Sequence, residues 1–428
     1  MDCTTALIKK FSCARTKCES IILNVLAPFA MDQIIDELKA VNFATVMIGT
    51  SNHKNLKIVP IFIRYFDPKT GVQIKVLEFT NLKGETSDIL SSYIIEILTK
   101  HKLSHKIIAF TSDNCNTNFG GAARRGTKNV LTILNNNLKT NISGIGCAAH
   151  ILHNAMQTST DILPIDVKYI VHKIFQYFYI YTVRVEDKCP TILKSFFSDP
   201  VAIIWFHFIQ SQLKVVCDTI KRIEGDNKSA CKVSEELEWG NSFEELKIFR
   251  WTQLINYPTW NDIQKSLIFI LQNNKQIGWN VDEDILFDEY NHVVNVINEN
   301  LKECQNKYVC VEEIWCAIYT ILNSKSILIN NFWNIVEYSL AMPGTNAAIE
   351  RVFSITNLLW TGEKNRFLVP TIKSIILLKN RFKKYSCNDF YDFLLTQPKL
   401  LNAISPWQKY SNDTFDNKGH DEQLTSTQ

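Results

Sequence analysis

The spacing of apolar residues changes along the chain and divides it into segments of different type. Residues 1–40 place apolar side chains three and four positions apart, which predicts a helical arm. Three runs rich in β-branched and aromatic residues follow, each bounded by short polar turns: 43–50, 57–66 and 72–80. Connections of this length predict an antiparallel meander of three strands.

Two helix–strand units come next. Residues 85–101 have helical spacing and lead to an apolar strand over 106–113, and a second helix over 123–138 leads to a strand over 142–146. A helix that returns the chain to the same sheet makes the strands on either side of it parallel. The order predicts an α/β fold with a mixed sheet of three antiparallel strands followed by parallel ones.

The remainder of the chain reads almost entirely as amphipathic helix. Breaks fall near Pro190, Pro200 and Pro258. We therefore expect five segments. They are a helical arm (1–40), the first part of the α/β core (41–159), a large helical insertion (160–337), a C-terminal helical region (338–400) and a disordered polar tail (401–428).

Composition narrows the class of protein only slightly. The 428 residues are 46% apolar, enough for a large core, and the net charge of +3 neither demands nor excludes a nucleic-acid partner. The twelve cysteines are scattered and read as reduced thiols of an intracellular protein. The longest apolar run, 167–183, is interrupted by charges and is shorter than the roughly 20 residues of a membrane span, so we expect no membrane partner.

One polar cluster marks a candidate site. Asp113 stands where an apolar strand ends, and Ser112, Asn114 and Asn118 surround it in sequence. Ligands of α/β sheets bind at the carboxyl ends of strands, so Asp113 is placed for chemistry.

Two motifs then give the chain a resemblance. A Cys-x-x-His pair, Cys147 and His150, follows a short strand, and a late Glu-Arg-x-Phe-Ser run begins at Glu350, 237 positions after Asp113 (350 − 113). In this order the motifs resemble those of hAT superfamily transposases, over about residues 40–160 and 335–400. The resemblance implies a ribonuclease-H-like core interrupted by the helical insertion, with Asp113 and Glu350 as the second and third carboxylates of an Asp-Asp-Glu nuclease site that binds Mg²⁺.

The first carboxylate of that site is missing. The resemblance implies an aspartate on the first strand, and the residue there is Gly49, which offers no ligand. We therefore expect a transposase-derived, catalytically impaired protein, with vestigial catalytic and metal-binding residues and no cofactor beyond the Mg²⁺ that any remaining activity would need. The alternative is an active DNA transposase that uses Asp113, Glu350 and a substituted ligand, for which Asp67 and Glu78 are the candidates.

Other candidate residues have two interpretations each. Cys147, His150 and His153 either contact metal or DNA ends or simply pack beneath the sheet. Three cations, Arg124, Arg125 and Lys128, either contact a DNA backbone or form a solvated helix start. The order Gly126-Thr127-Lys128 reverses that of a phosphate-binding loop, so we expect no nucleotide partner.

The C-terminal region carries more apolar surface than one helix needs. The resemblance implies that this region dimerises, through Ile349, Val352, Phe353, Leu359, Ile372 and Ile376. The alternative is an intramolecular core. Cys13 and Cys18 lack the further ligands of a zinc finger, so the N-terminal BED-type finger of the family is missing. We therefore expect a homodimer that binds DNA. The resemblance implies the nucleus as its location, and the cytoplasm is the alternative.

Overall fold

The computed structural model describes residues 15–121, 126–163, 166–180, 189–225, 229–230, 232–233, 241–274, 279–308, 310–361 and 367–404. The chain divides into two compact units. The larger comprises residues 35–365, and the smaller joins residues 1–34 to residues 366–428.

The larger unit is built on a six-stranded mixed sheet. Its strands are β1 (Ala44–Ile48), β2 (Ser51–His53), β3 (Leu56–Asp67), β4 (Gly71–Leu82), β5 (Ile107–Ser112) and β6 (Ser143–Gly146). The order across the sheet is β4-β3-β1-β5-β6, with β2 beside β3 where β1 has ended. The β1–β3 and β3–β4 pairs are antiparallel, and the β1–β5 and β5–β6 pairs are parallel. The predicted α/β class with a mixed sheet is confirmed.

Helices make up most of the rest of the described chain. They are α1 (Arg15–Ile21), a π-helical turn (Ile22–Leu26), α2 (Ala27–Ala40), α3 (Ser87–Lys100), α4 (Asn116–Phe119), α5 (Val130–Leu138), α6 (Ala148–Asp161), α7 (Val167–Ile180), α8 (Thr191–Ser198), α9 (Ala202–Ile223), a 3₁₀ segment (Asn241–Gln253), α10 (Trp260–Asn273), α11 (Glu283–Lys307), α12 (Val311–Ser324), α13 (Asn330–Ala341), α14 (Ala347–Leu359), α15 (Val369–Arg381), α16 (Cys387–Leu395) and α17 (Pro398–Ile404).

The central strands are buried on both faces. Every residue of β1 and of β5 is buried, which explains why their sequences are continuous apolar runs rather than alternating ones. Helix α3 begins where the Thr86 side chain accepts a hydrogen bond from the Ile89 N–H, and it buries Leu90, Ile94 and Leu98. It supplies the crossover that makes β5 parallel to β1.

The helical insertion shares its core with the sheet. One hydrophobic cluster contains Phe66 and Ile108 from strands together with Phe249, Trp315 and Phe332 from the insertion. Most of α13 is buried, and it lies against β3 and β1. The segment boundary expected at residue 337 therefore falls inside α13, a helix that covers the sheet. The apolar pattern of α13 could not show whether this helix packs on the sheet or within the insertion.

The smaller unit packs the N-terminal arm against the C-terminal helices. The Thr371 hydroxyl donates to the Glu19 carboxylate at 2.6 Å, and the rings of Phe29 and Phe393 lie 6.1 Å apart. The expected disordered tail begins at residue 401, yet α17 continues to Ile404. Residues 405–428 lie outside the described residues.

Within the described chain, one helical stretch, Thr16–Ala40, is long and apolar enough by composition to cross a membrane. Core helices pass the same test. Ala30, Ile34 and Leu38 of this stretch are completely buried, as in a packed helix.

Candidate functional site

Asp113 lies just beyond the end of β5, as predicted. The amide nitrogen of Asn118 donates to its Oδ1 at 2.6 Å, and the Cys115 backbone N–H donates to the same oxygen at 3.4 Å. The short helix α4 thus holds the carboxylate at the sheet edge. Met47 is opposite Thr111 in the parallel pair of β1 and β5. Gly49 and Asp113 come two positions later, so they follow the ends of two adjacent strands.

Glu350 reaches the same edge from the first turn of α14. The loop before this helix is attached at several points. The Met342 carbonyl accepts the Ala230 N–H at 3.0 Å, and the Gly344 carbonyl accepts the Ala148 N–H at 3.4 Å. These bonds fix the start of α14 against α6.

Asn346 is the central anchor of this loop, and the sequence did not single it out. Its backbone N–H donates to the Cys147 sulfur at 3.4 Å, and its side-chain amide donates to the Ile48 carbonyl at 2.8 Å. One buried residue therefore joins the end of β1, the start of α6 and the start of α14. Asn346 occupies the N-cap position of α14, and the hydroxyl of the preceding Thr345 accepts the Ala347 N–H at 2.9 Å.

Asp113 lies close enough to Glu350 and His150 to affect the pKa of each. Partial burial raises the pKa of Glu350, the His150 imidazole opposes that rise, and the carboxylates of Asp113 and Glu224 add to it. The pKa of His150 is raised, mainly by the Cys147 side chain and further by Glu350 and Asp113, while burial opposes the rise. The effect of Asp113 on the pKa of Glu350 agrees with the predicted approach of the two carboxylates.

The Cys-x-x-His motif divides into a buried part and an exposed part. Cys147 is 1% exposed and accepts the Asn346 N–H, so it has a packing role. His150 is half-buried, and its Nδ1 is buried without a hydrogen-bond partner among the described residues. His153 is exposed.

The space that a side chain at position 49 would need is filled by apolar side chains. A Cβ at Gly49 would lie 2.6 Å from the Ile349 Cγ2 and 3.2 Å from the Phe353 ring. Contacts this short require the neighbours to move. The absence of a side chain at Gly49 allows α14 to pack directly on the end of β1.

Asp67 and Glu78 do not replace the missing ligand. Asp67 accepts the Thr70 hydroxyl at the β3–β4 turn. Glu78 lies on β4, separated from β5 by two strands, and its carboxylate is 3.8 Å from the Lys100 ammonium. Asp67 is at the end of β3 that lies away from Gly49, and Glu78, although level with Ile48 through Ile61, is separated from β1 by β3, so neither stands beside Asp113.

The residues present do not fit a two-metal Mg²⁺ site. Among the described residues, no group of three or more His, Cys, Asp or Glu side chains is arranged to hold a metal ion. Asp113 and Glu350 supply two carboxylates, whereas a bridged pair of Mg²⁺ ions needs three or more fixed ligand groups.

Of the three expected DNA-binding cations, Lys128 is described. It is exposed, and its ammonium lies 3.2 Å from the Asp88 carboxylate at the start of α3. Arg124 and Arg125 lie outside the described residues.

The expected dimerisation residues are largely covered by their own chain. Ile349, Val352, Ile372 and Ile376 are at most 4% exposed, and Phe353 and Leu359 are half-buried. Their stripe forms intramolecular contacts, which is the alternative that the sequence left open. The exposed apolar residues of the smaller unit are others: Leu368, Tyr385, Tyr391 and Leu395.

No family model matches the chain, and no curated protein matches it. The assignment of function therefore depends on the site and the fold described above.

Proposed function

We propose that this chain is a transposase-derived protein of the hAT type whose ribonuclease-H-like nuclease site no longer supports cleavage. The strand order β4-β3-β1-β5-β6 supports a core of that kind, because the ends of β1 and β5 become neighbours in it. The effect of Asp113 on the pKa of Glu350 supports a shared site.

The main support for an impaired nuclease site is the packing at Gly49. A carboxylate at this position would lie beside Asp113, and its Cβ alone would meet the Ile349 methyl at 2.6 Å. The site has therefore lost both the ligand and the space for it. A phosphodiester oxygen would lack the fixed pair of ions that in-line displacement requires.

An active transposase is the second candidate. Glu224, directly after α9, also raises the pKa of Glu350, so it is a further carboxylate close to this site. A role as substituted ligand would require Glu224 to move into a shared coordination sphere with Asp113.

Nicking of supercoiled DNA in Mn²⁺ tests the two candidates. We expect the unmodified chain, Asp113→Asn and Glu350→Gln to convert plasmid at the same rate as protein-free buffer. Cleavage by the unmodified chain that Asp113→Asn abolishes would overturn the proposal. Loss of that cleavage in Glu224→Gln as well would identify Glu224 as the substituted ligand.

The proposal includes association and DNA binding in the nucleus. Because Ile349, Val352, Ile372 and Ile376 are buried, dimerisation through the C-terminal region would use its exposed residues, above all Leu368 and Tyr391, which are 67% and 61% exposed. DNA contact would use Arg124, Arg125 and Lys128, and the exposed pair of Lys128 with Asp88 leaves that ammonium accessible to a phosphate.

A further inference from the structure

A cavity of about 460 Å³ opens in the larger unit at the turn between β3 and β4. Its walls are this turn, the last part of α11, and α12. Strand β3 is antiparallel to β1, and β1 is parallel to β5, so the turn lies at the end of the sheet opposite to Asp113. The cavity is therefore separate from the candidate nuclease site.

The walls of the cavity are fixed by contacts within the chain. Helices α11 and α12 pack against each other, and Trp315 of α12 is completely buried. The turn is attached to α12, because the Cys316 thiol donates to the Asp67 carbonyl at 3.9 Å. Within the turn the Asp67 carboxylate accepts the Lys69 backbone N–H at 3.0 Å and the Thr70 hydroxyl at 2.6 Å. The cavity is thus formed before any ligand enters it.

The less exposed part of the cavity lining is apolar. Cys304 is 6% exposed, and Cys316 and Ala317 are half-buried. Burial raises the pKa of the Cys316 thiol to about 12, and the Asp67 carboxylate adds to the rise. A thiol with this pKa stays protonated at neutral pH, so it contributes a neutral surface and no nucleophile.

The mouth of the cavity carries four charged side chains, which we call the mouth charges: Lys69, Glu303, Lys307 and Glu313. All four are exposed, and none belongs to an ion pair within the part of the chain that the structure describes. Glu303 and Lys307 are four positions apart on α11, a spacing at which opposite charges commonly pair. The Lys307 ammonium instead lies 5.3 Å from the centroid of the Tyr308 ring. Two cations and two carboxylates are therefore open to a ligand.

The size and the charges of the cavity select the class of ligand. Cavities of about 300–1,000 Å³ bind small molecules. An anion would be repelled by Glu303 and Glu313, and a cation would be repelled by Lys69 and Lys307. A molecule that carries one charge of each sign finds a partner for both, and an apolar body suits the less exposed lining.

We propose that this cavity binds a small zwitterion with an apolar body, the chemistry shared by apolar amino acids and short apolar peptides. The two cations of the mouth charges hold its carboxylate, and the two carboxylates hold its amine. Its apolar body covers Cys316 and Ala317. The site is independent of the nuclease site and does not rest on the proposed function.

Calorimetric titration of the full chain with leucyl-leucine and its blocked forms tests the recognition of both charges. N-terminal acetylation removes the positive charge of the peptide, and C-terminal amidation removes the negative one. We expect leucyl-leucine to bind about 5-fold or more tightly than either blocked form, because each blocked form has lost one of the two kinds of ion pair. Glycyl-glycine, which has both charges and no apolar side chain, should also bind more weakly.

Two double variants locate the contacts. Lys69→Gln/Lys307→Gln should weaken the binding of leucyl-leucine by about 5-fold or more and abolish its advantage over the amidated form. Glu303→Gln/Glu313→Gln should abolish its advantage over the acetylated form. Lys302→Gln is the matched control, an exposed lysine of α11 outside the cavity lining, and should leave binding unchanged. All these positions are exposed, so the thermal midpoint should stay within a few degrees of that of the unmodified chain.

Two results would overturn the proposal. One is equal affinity for leucyl-leucine and both blocked forms, or no binding of any of these probes up to about 10 mM. The other is binding of leucyl-leucine that stays unchanged in both double variants. Titration with leucine then distinguishes the two sources of the zwitterion. Tighter binding of leucine would assign the cavity to a free amino acid, tighter binding of leucyl-leucine would assign it to a peptide, and both results support the site.

Discussion

Gly49 determines the chemistry that the site can support. An aspartate here would bring a carboxylate beside Asp113, and its Cβ would stand 2.6 Å from the Ile349 Cγ2. The sequence drew attention to Gly49, but it could not show that α14 packs against this residue, because that contact joins residues 300 positions apart (349 − 49).

Gly49→Asp should therefore destabilise the protein rather than restore the site. Overpacking of this kind lowers the free energy of unfolding by about 1–3 kcal/mol. Gly49→Asp/Ile349→Ala should recover part of that loss, since the methyl that meets the new Cβ is removed. Urea denaturation measures both. Asn52→Asp, which adds the same charge at an exposed position of β2, is the control, and equal stability of all variants would contradict the packing described at Gly49.

Glu337 on α13 is a buried acid whose environment should make the stability of the protein depend on pH. It is 3% exposed, and one of its oxygens accepts the N–H groups of Asn42 and Phe43 at 2.6 and 2.9 Å. Burial raises its pKa from 4.5 to about 7, although those hydrogen bonds and Lys106 oppose the rise. The folded state thus holds a proton that the unfolded state releases near pH 4.5.

The sign of the pH effect follows from that difference. A raised pKa gives a stability contribution that is complete below pH 4.5 and is lost as the pH rises through about 7, by an amount on the order of 3 kcal/mol. Glu337→Gln keeps an acceptor for both N–H groups, so it should match the unmodified chain near pH 4.5 and exceed it at pH 8. Urea denaturation at both pH values measures this, with the exposed Glu96→Gln as control, and a difference independent of pH would refute the assignment.

At the scale of elements, the loop before α14 decides where Glu350 stands. The sequence predicted the helix, the strand that ends at Asp113 and their common edge, because periodicity and motif order report local structure and topology. It missed Asn346, whose partners Ile48 and Cys147 are distant in sequence. It also assigned Ile349 and Ile376 to a dimer surface, because an apolar stripe does not reveal whether its partner belongs to the same chain.

Asn346→Ala tests the role of this loop. It removes the hydrogen bond to the Ile48 carbonyl and leaves that buried acceptor unpaired, which costs about 1–3 kcal/mol. We expect the pKa of His150, followed by NMR titration, to fall in this variant, because Glu350 moves away from the imidazole. A variant that loses stability while the pKa of His150 stays unchanged would show that Asn346 does not position α14.

At the scale of the whole molecule, two features of the larger unit bear on function. The helical insertion is divided between helices that complete the core of the sheet, α10 to α13, and helices that share a small core of their own, α7 to α9. The first group packs on the sheet that carries Asp113. The second group leaves apolar side chains exposed on its outer faces.

The central claim is that Asp113 and Glu350 form a shared site without enough ligands for catalytic metal ions. Electron paramagnetic resonance of Mn²⁺ titrated with the full chain measures this directly, because bound ions lose the signal of the free hexaaqua ion. We predict that the unmodified chain binds Mn²⁺ no more tightly than the double variant Asp113→Asn/Glu350→Gln. Binding of two Mn²⁺ ions per chain at micromolar concentration, abolished in that variant, would contradict the account.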